Sequence, residues 1–148
     1  MKRNAFLVAL SAIFFWAGIN MIADFIERMI RDLLFFIDFS DLLILLFVII
    51  IFLSIITFGI LKLKNYLLND NILDINILKI SIALFVIGQI LMIMNPFIYQ
   101  FYDMSKYSQK LNEYIGLKYD IAQFSKTMIS YLILIYIFYK SKNDLMKI

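Results

Sequence analysis

The chain has 148 residues, with no cysteine and no histidine. Disulfides, thiol redox chemistry, Cys/His zinc sites and histidine-ligated haem are therefore excluded. So is every Ser-His or Cys-His nucleophile pair, and no other nucleophile stands beside an activating base, so the reading is not an enzyme. No metal or cofactor is expected. Charge is scarce: charged residues make up 17% of the chain, against about 25% in soluble domains. The eleven acids avoid the long uncharged runs 4–23, 42–61, 80–102 and 127–139. A proton-coupled carrier usually buries a carboxylate at membrane depth, and the runs offer none. What fills the chain is apolar: 64% hydrophobic residues, well above the roughly 45–50% of soluble proteins.

The first three runs exceed the roughly 18 apolar residues that mark a membrane span. The pattern predicts an all-α, polytopic membrane protein: four transmembrane helices in a bundle, at about 5–23, 42–61, 80–102 and 121–139. The connectors 24–41, 62–79 and 103–120 are too short for a domain, which rarely forms below about 40 residues without staples. Residues 1–148 thus read as one membrane domain. The basic start Met1-Lys2-Arg3 precedes an apolar run longer than a leader core, and no cleavage site follows, so the first span reads as an uncleaved anchor.

Lysine and arginine set the orientation. With the N-terminus inside, eight basic residues fall inside and six outside; the acids split three and eight. The expectation is an N-in, C-in protein of a bacterial cytoplasmic (inner) membrane. Its partner is the lipid bilayer; nucleic acid, which needs a continuous basic face, is not expected.

Residues 24–38 predict an amphipathic extension of the first helix. Asp24, Glu27, Arg28, Arg31, Asp32 and Asp38 share one face, and Phe25, Ile26, Met29, Ile30, Leu33, Phe36 and Ile37 the other. Asp24–Arg28, Glu27–Arg31 and Arg28–Asp32 are favourable i,i+4 pairs. The extension is expected to lie on the outer leaflet or fold over the bundle, either covering apolar surface or offering a face to a partner. Ser40-Asp41 has N-cap chemistry for the second helix, Asn69-Asp70-Asn71 reads as a turn, and Asp74 as a cap for the helix from Ile75. Pro96 is expected to kink the third span.

The fourth run, 127–139, gives only about 20 Å of helix. It spans only by starting near Ile121 and carrying Lys126 inside, where a mid-membrane lysine costs about 2.5–3.5 kcal/mol. Under N-in topology Asn20, Gln89, Asn95 and Lys126 all lie from mid-membrane outward. They form the candidate polar cluster, read either as an outward vestibule for a ligand or peptide, or as interhelical hydrogen bonds plus a snorkelling lysine. Aromatics at the ends of the last two spans, among them Phe97, Tyr99, Tyr136 and Tyr139, suit an interface belt, with Trp16 alone in the first span. The run Lys106, Tyr107, Lys110, Tyr114, Lys118, Tyr119 interleaves base and aromatic, a pattern that binds single strands, but it faces outward here.

Two segments carry a resemblance. One is the inner connector, Leu61-Lys62-Leu63-Lys64-Asn65-Tyr66-Leu67-Leu68 followed by Asn71-Ile72-Leu73-Asp74-Ile75-Asn76-Ile77-Leu78-Lys79-Ile80. The other is the tail, Lys140-Ser141-Lys142-Asn143-Asp144-Leu145-Met146-Lys147-Ile148. With the span layout, they resemble a family of small bacterial four-span membrane proteins of unknown function, often encoded beside a Cro/C1-type helix-turn-helix regulator. The tail departs from the family in having Met146-Lys147 where a threonine is usual, and the connector lacks the usual phenylalanine. The resemblance implies an inner-membrane protein with no known activity. Taken with the absence of catalytic groups, and with the inner connector and tail as the only cytoplasmic handles, it motivates the expectation of a non-enzymatic protein with a sensory or regulatory role that works with a cytoplasmic transcriptional regulator. An immunity protein against a pore-forming bacteriocin or toxin is the alternative, and a holin a third reading.

Overall fold

A computed structural model describes residues 4–37, 39–99 and 117–140. They form four helices: α1 (Ala5–Phe36), α2 (Asp41–Leu68), α3 (Asp74–Tyr99) and α4 (Leu117–Lys140). Among the described residues, three segments are long and apolar enough to cross a membrane: Ala5–Leu34, Leu42–Leu68 and Asp74–Met94.

The helices are longer than the expected spans, because the described parts of the connectors are largely helical. α1 has 32 residues, about 48 Å of helix, and passes through Asp24 without a break. The link between α1 and α2 shrinks to 37–40, and that between α2 and α3 to 69–73. Asn4, a signal not used above, caps α1: its Oδ1 accepts from the amides of Phe6 and Leu7 at 3.1 and 3.3 Å. Ser40 precedes α2 in extended conformation, as expected of an N-cap, but its side chain makes no capping bond. The Asn69 turn forms as expected: Asn69 Oδ1 accepts from the amide of Asn71 at 3.0 Å, and its carbonyl from that of Ile72 at 3.0 Å. Asp74 opens α3, and its Oδ2 accepts from the amide of Asn4 at 2.7 Å. That bond ties the starts of α1 and α3 together. α3 runs on through Pro96 to Tyr99.

α1 packs mainly on α3 and next on α2; α2 packs on α4 and touches α3 only lightly. Glycine brings α1 and α3 together: a Cβ on Gly18 would lie 2.7 Å from the backbone of Leu84 and Phe85, and one on Gly88 would lie 3.1 Å from the Gly18 carbonyl oxygen. Phe14 and Phe85 meet edge to face beside that crossing, 5.3 Å apart. The main core lies between α1 and α2, with Phe15, Ile19 and Ala23 against Phe52, Ile56 and Ile60. Contacts to α4 climb one helix and descend the other: Lys126 meets Glu27, and Tyr131 meets Trp16. α4 therefore runs antiparallel to α1. One end of the molecule holds Asn4, the 69–73 turn and Lys140; the other holds the 37–40 link and the start of α4.

Candidate functional site

The charged side of α1 turns inward. Glu27, Arg31 and Asp32 are buried, while Leu33, on the apolar side, is 58% exposed. The extension therefore does not fold its apolar face over the bundle, one of the two expected placements; its charged side packs inward instead. A charge that leaves water must find a partner, and the partners are inside. α4 supplies one of them.

Lys126 is 3% exposed. Its Nζ donates to Glu27 Oε2 and, at 3.2 Å, to Asp24 Oδ1. It also sits 4.0 Å above the ring centroid of Phe52, on α2. Three helices thus converge on one ammonium group: two carboxylates from α1, an aromatic face from α2 and the lysine from α4. The spacing on α1 explains the geometry. Asn20, Asp24, Glu27 and Arg31 recur every three or four residues and line one stripe of the helix. Glu27 lies nine residues before the end of α1, and Lys126 nine residues after the start of α4, about 14 Å below the helix ends. The lysine does not snorkel. Its stem would have to reach past Asp24 and Glu27, and either carboxylate neutralises it where it stands.

The side chain of Glu27 is 2% exposed, whereas that of Asp24 is 39% exposed. The cluster is therefore sealed on one side and open on the other. One turn further along α1, Arg31 Nε donates to Asp32 Oδ1 at 3.1 Å, so ionic contacts continue toward the 37–40 link.

Of the other members of the expected polar cluster, Asn20 and Gln89 are described. Asn20 is half-buried and returns its amide to its own helix, donating to the Trp16 carbonyl at 2.9 Å. Gln89 is half-buried on α3, which packs mainly on α1. The side chain of Asn95 lies outside the described residues. Hydroxyls within the spans behave like Asn20: Ser11, Ser54, Thr57 and Ser81 each donate to the carbonyl four residues earlier, at 2.7–2.9 Å. These polar side chains bond within their own helix, whereas Lys126 bonds across helices. Trp16 packs on Tyr131 of α4, ring centroids 5.8 Å apart. The base–aromatic run from Lys106 lies outside the described residues except for its last positions, which open α4.

Sequence reasoning found Lys126 and missed its counter-ions. The signal was present: a lone cation in an apolar run demands a carboxylate, and Asp24 and Glu27 already lay in line on α1. Chemically the cluster can hold charge and bind helices together. Among the described residues no group of three or more His, Cys, Asp or Glu could hold a metal ion. Compared with protein-family models, curated proteins and solved structures, the chain matches none.

Proposed function

We propose that the chain is a non-enzymatic four-span protein of a bacterial inner membrane, with both termini cytoplasmic, that transmits the state of its outer half to a cytoplasmic regulator through α4. The observation that carries this reading is the Lys126–Glu27–Asp24 cluster. It ties the helix that leads into the C-terminal tail to the outward half of α1.

Treating α4 as the fourth span has two supports. Its 24 residues make about 36 Å of helix, enough for a hydrocarbon layer of roughly 30 Å. Its exposed apolar residues Met128, Leu132, Ile135 and Tyr139 form one stripe, and Ala122, Lys126 and Ser130 are buried on the other side. Apolar side out and charge in is the arrangement a helix adopts in lipid, and the counter-ions offset the insertion cost of the lysine. Apart from this cluster and Trp16–Tyr131, α4 leans chiefly on α2. A ligand or a change in the membrane that loosens the outer cluster would shift α4 and so the tail beyond Lys140.

The test is complementation in cells lacking the gene, with the transcriptional response as the readout. The full chain restores the response. A chain lacking 141–148 inserts in the membrane but behaves as the null, and Glu27→Gln shifts the basal output. Full restoration by the truncated chain would sink the reading.

An immunity role is favoured by a different feature. Leu33, Ile37, Phe39 and Leu42 are exposed around the 37–40 link, which faces outward in this topology. A pore-forming toxin inserting from outside would meet that apolar rim first. Protection of sensitive cells by the chain, lost on Leu42→Asp, would favour this role; unchanged killing would remove it.

A further inference from the structure

We infer that α4 is a conditional span. It enters the membrane only when Asp24 and Glu27 of α1 take up Lys126, so this ion cluster decides on which side the segment beyond Lys140 lies. The inference rests on the four-span reading and deepens it by naming what holds α4 in the bilayer. α4 is the least apolar of the four helices. Its uncharged run, 127–139, has 13 residues, against the roughly 20 that a span needs. Gln123, Ser125, Lys126, Thr127 and Ser130 crowd the stretch before Tyr131. An unpaired lysine near the middle of a helix opposes entry into hydrocarbon as strongly as several leucines favour it. α1 differs. Its uncharged run, 4–23, has 20 residues, and it leaves the ribosome before α4. α1 therefore crosses unaided and brings Asp24 and Glu27 into place first.

The arriving α4 finds a prepared place. Lys126 is buried, and its ammonium meets both carboxylates and the face of the Phe52 ring. Among the described residues no other carboxylate reaches it. Arg31 is engaged with Asp32 one turn further along, so Asp24 and Glu27 are left to the lysine. The remaining grip on α4 is mostly its packing on α2, where Ile133, Leu134, Ile137 and Phe138 join the apolar core. In a bilayer that grip is weak, because lipid tails are as apolar as the side chains they replace. The ion cluster is what makes the protein a better neighbour for α4 than lipid or water. Paired, α4 spans and its end lies on the inner side; unpaired, α4 stays on the outer side and α3 is the last span. Lys140, Lys142 and Lys147 favour the inner side in either case, so the cluster is read as a change from the unaltered chain.

The test fuses a reporter after Ile148 of the full chain in bacterial cells. Alkaline phosphatase is active only outside the cytoplasm, and green fluorescent protein glows only inside it. The unaltered chain reports inside; an outside report from it would sink the four-span reading itself. Asp24→Asn with Glu27→Gln shifts the outside-to-inside ratio at least about tenfold toward outside, given the penalty of an unpaired lysine in a span. Both acids are changed because either one alone still neutralises the lysine. A smaller shift would overturn the inference and leave the four spans standing. Adding Lys126→Leu to the double change returns the reporter to the inside, which a merely misfolded chain would not do; failure to return would overturn the inference. If the double variant is degraded, the charges are exchanged instead. Lys126→Glu then sends the reporter outside, and Glu27→Lys added to it brings the reporter back. An inside report from Lys126→Glu alone, or no return in the exchanged pair, would overturn the inference as well.

Discussion

Lys126 stands where the pattern of α4 calls for an apolar residue, and its surroundings make the exception tolerable. Removing one partner of a buried ion pair costs more than removing both, because the survivor keeps its charge without its counter-charge. Lys126→Met should therefore destabilise the protein by about 3–5 kcal/mol. Adding Glu27→Leu to it should recover part of that loss, since it removes the buried carboxylate left without its counter-charge. Unfolding in detergent, run as a double-mutant cycle, checks this; strictly additive effects would mean that Lys126 and Glu27 do not interact. The Asn4 cap lends itself to a smaller test. Asn4→Ala removes the side-chain acceptor for two amides and should cost about 1 kcal/mol in the same assay.

At the scale of elements, the crossing of α1 and α3 depends on a missing side chain. Gly18→Ala raises helix propensity by about 1 kcal/mol, so an uncrowded helix would gain stability. Here the new Cβ would meet the Leu84 carbonyl carbon and the Phe85 nitrogen at 2.7 Å. Backbone of a neighbouring helix cannot turn aside as a side chain can. The helices must separate, and the net change should be a loss of about 1–3 kcal/mol, read as a lower midpoint of thermal unfolding. An unchanged or higher midpoint would show that the crossing is looser than described. The close approach at Gly18 was not legible beforehand, because a glycine in an apolar run carries no mark of which neighbour it meets. Helix starts were more legible. Asp41 opens α2 after Ser40, and the turn at Asn69 falls where Asn and Asp cluster, because capping and turn chemistry act over a few residues. The extent of α1 was legible too: amphipathic spacing predicted that the first helix runs on through 24–38, and α1 continues in one piece to Phe36.

For the whole molecule, the alternating direction of the helices makes a statement about sides. If α4 crosses the membrane, the 69–73 turn and Lys140 lie on one face, and the segment between α3 and α4 lies on the other. The chain has no native cysteine, so single cysteines report cleanly. Asp70→Cys should be labelled only after the inner face is exposed, and Lys110→Cys should react from outside in intact cells. Labelling of both from the same face would rule out the four-span topology. Sequence alone determined the helical, membrane-borne character of this protein, because apolar run length and charge scarcity are local properties that any fold must accommodate. Tertiary structure decided which side of α1 faces inward. A helix with one charged and one apolar face has the same pattern whether water or lipid surrounds it. The choice came from Lys126, 99 residues away from Glu27 in the chain: charges of α1 and α4 that leave water lower their energy by turning toward each other.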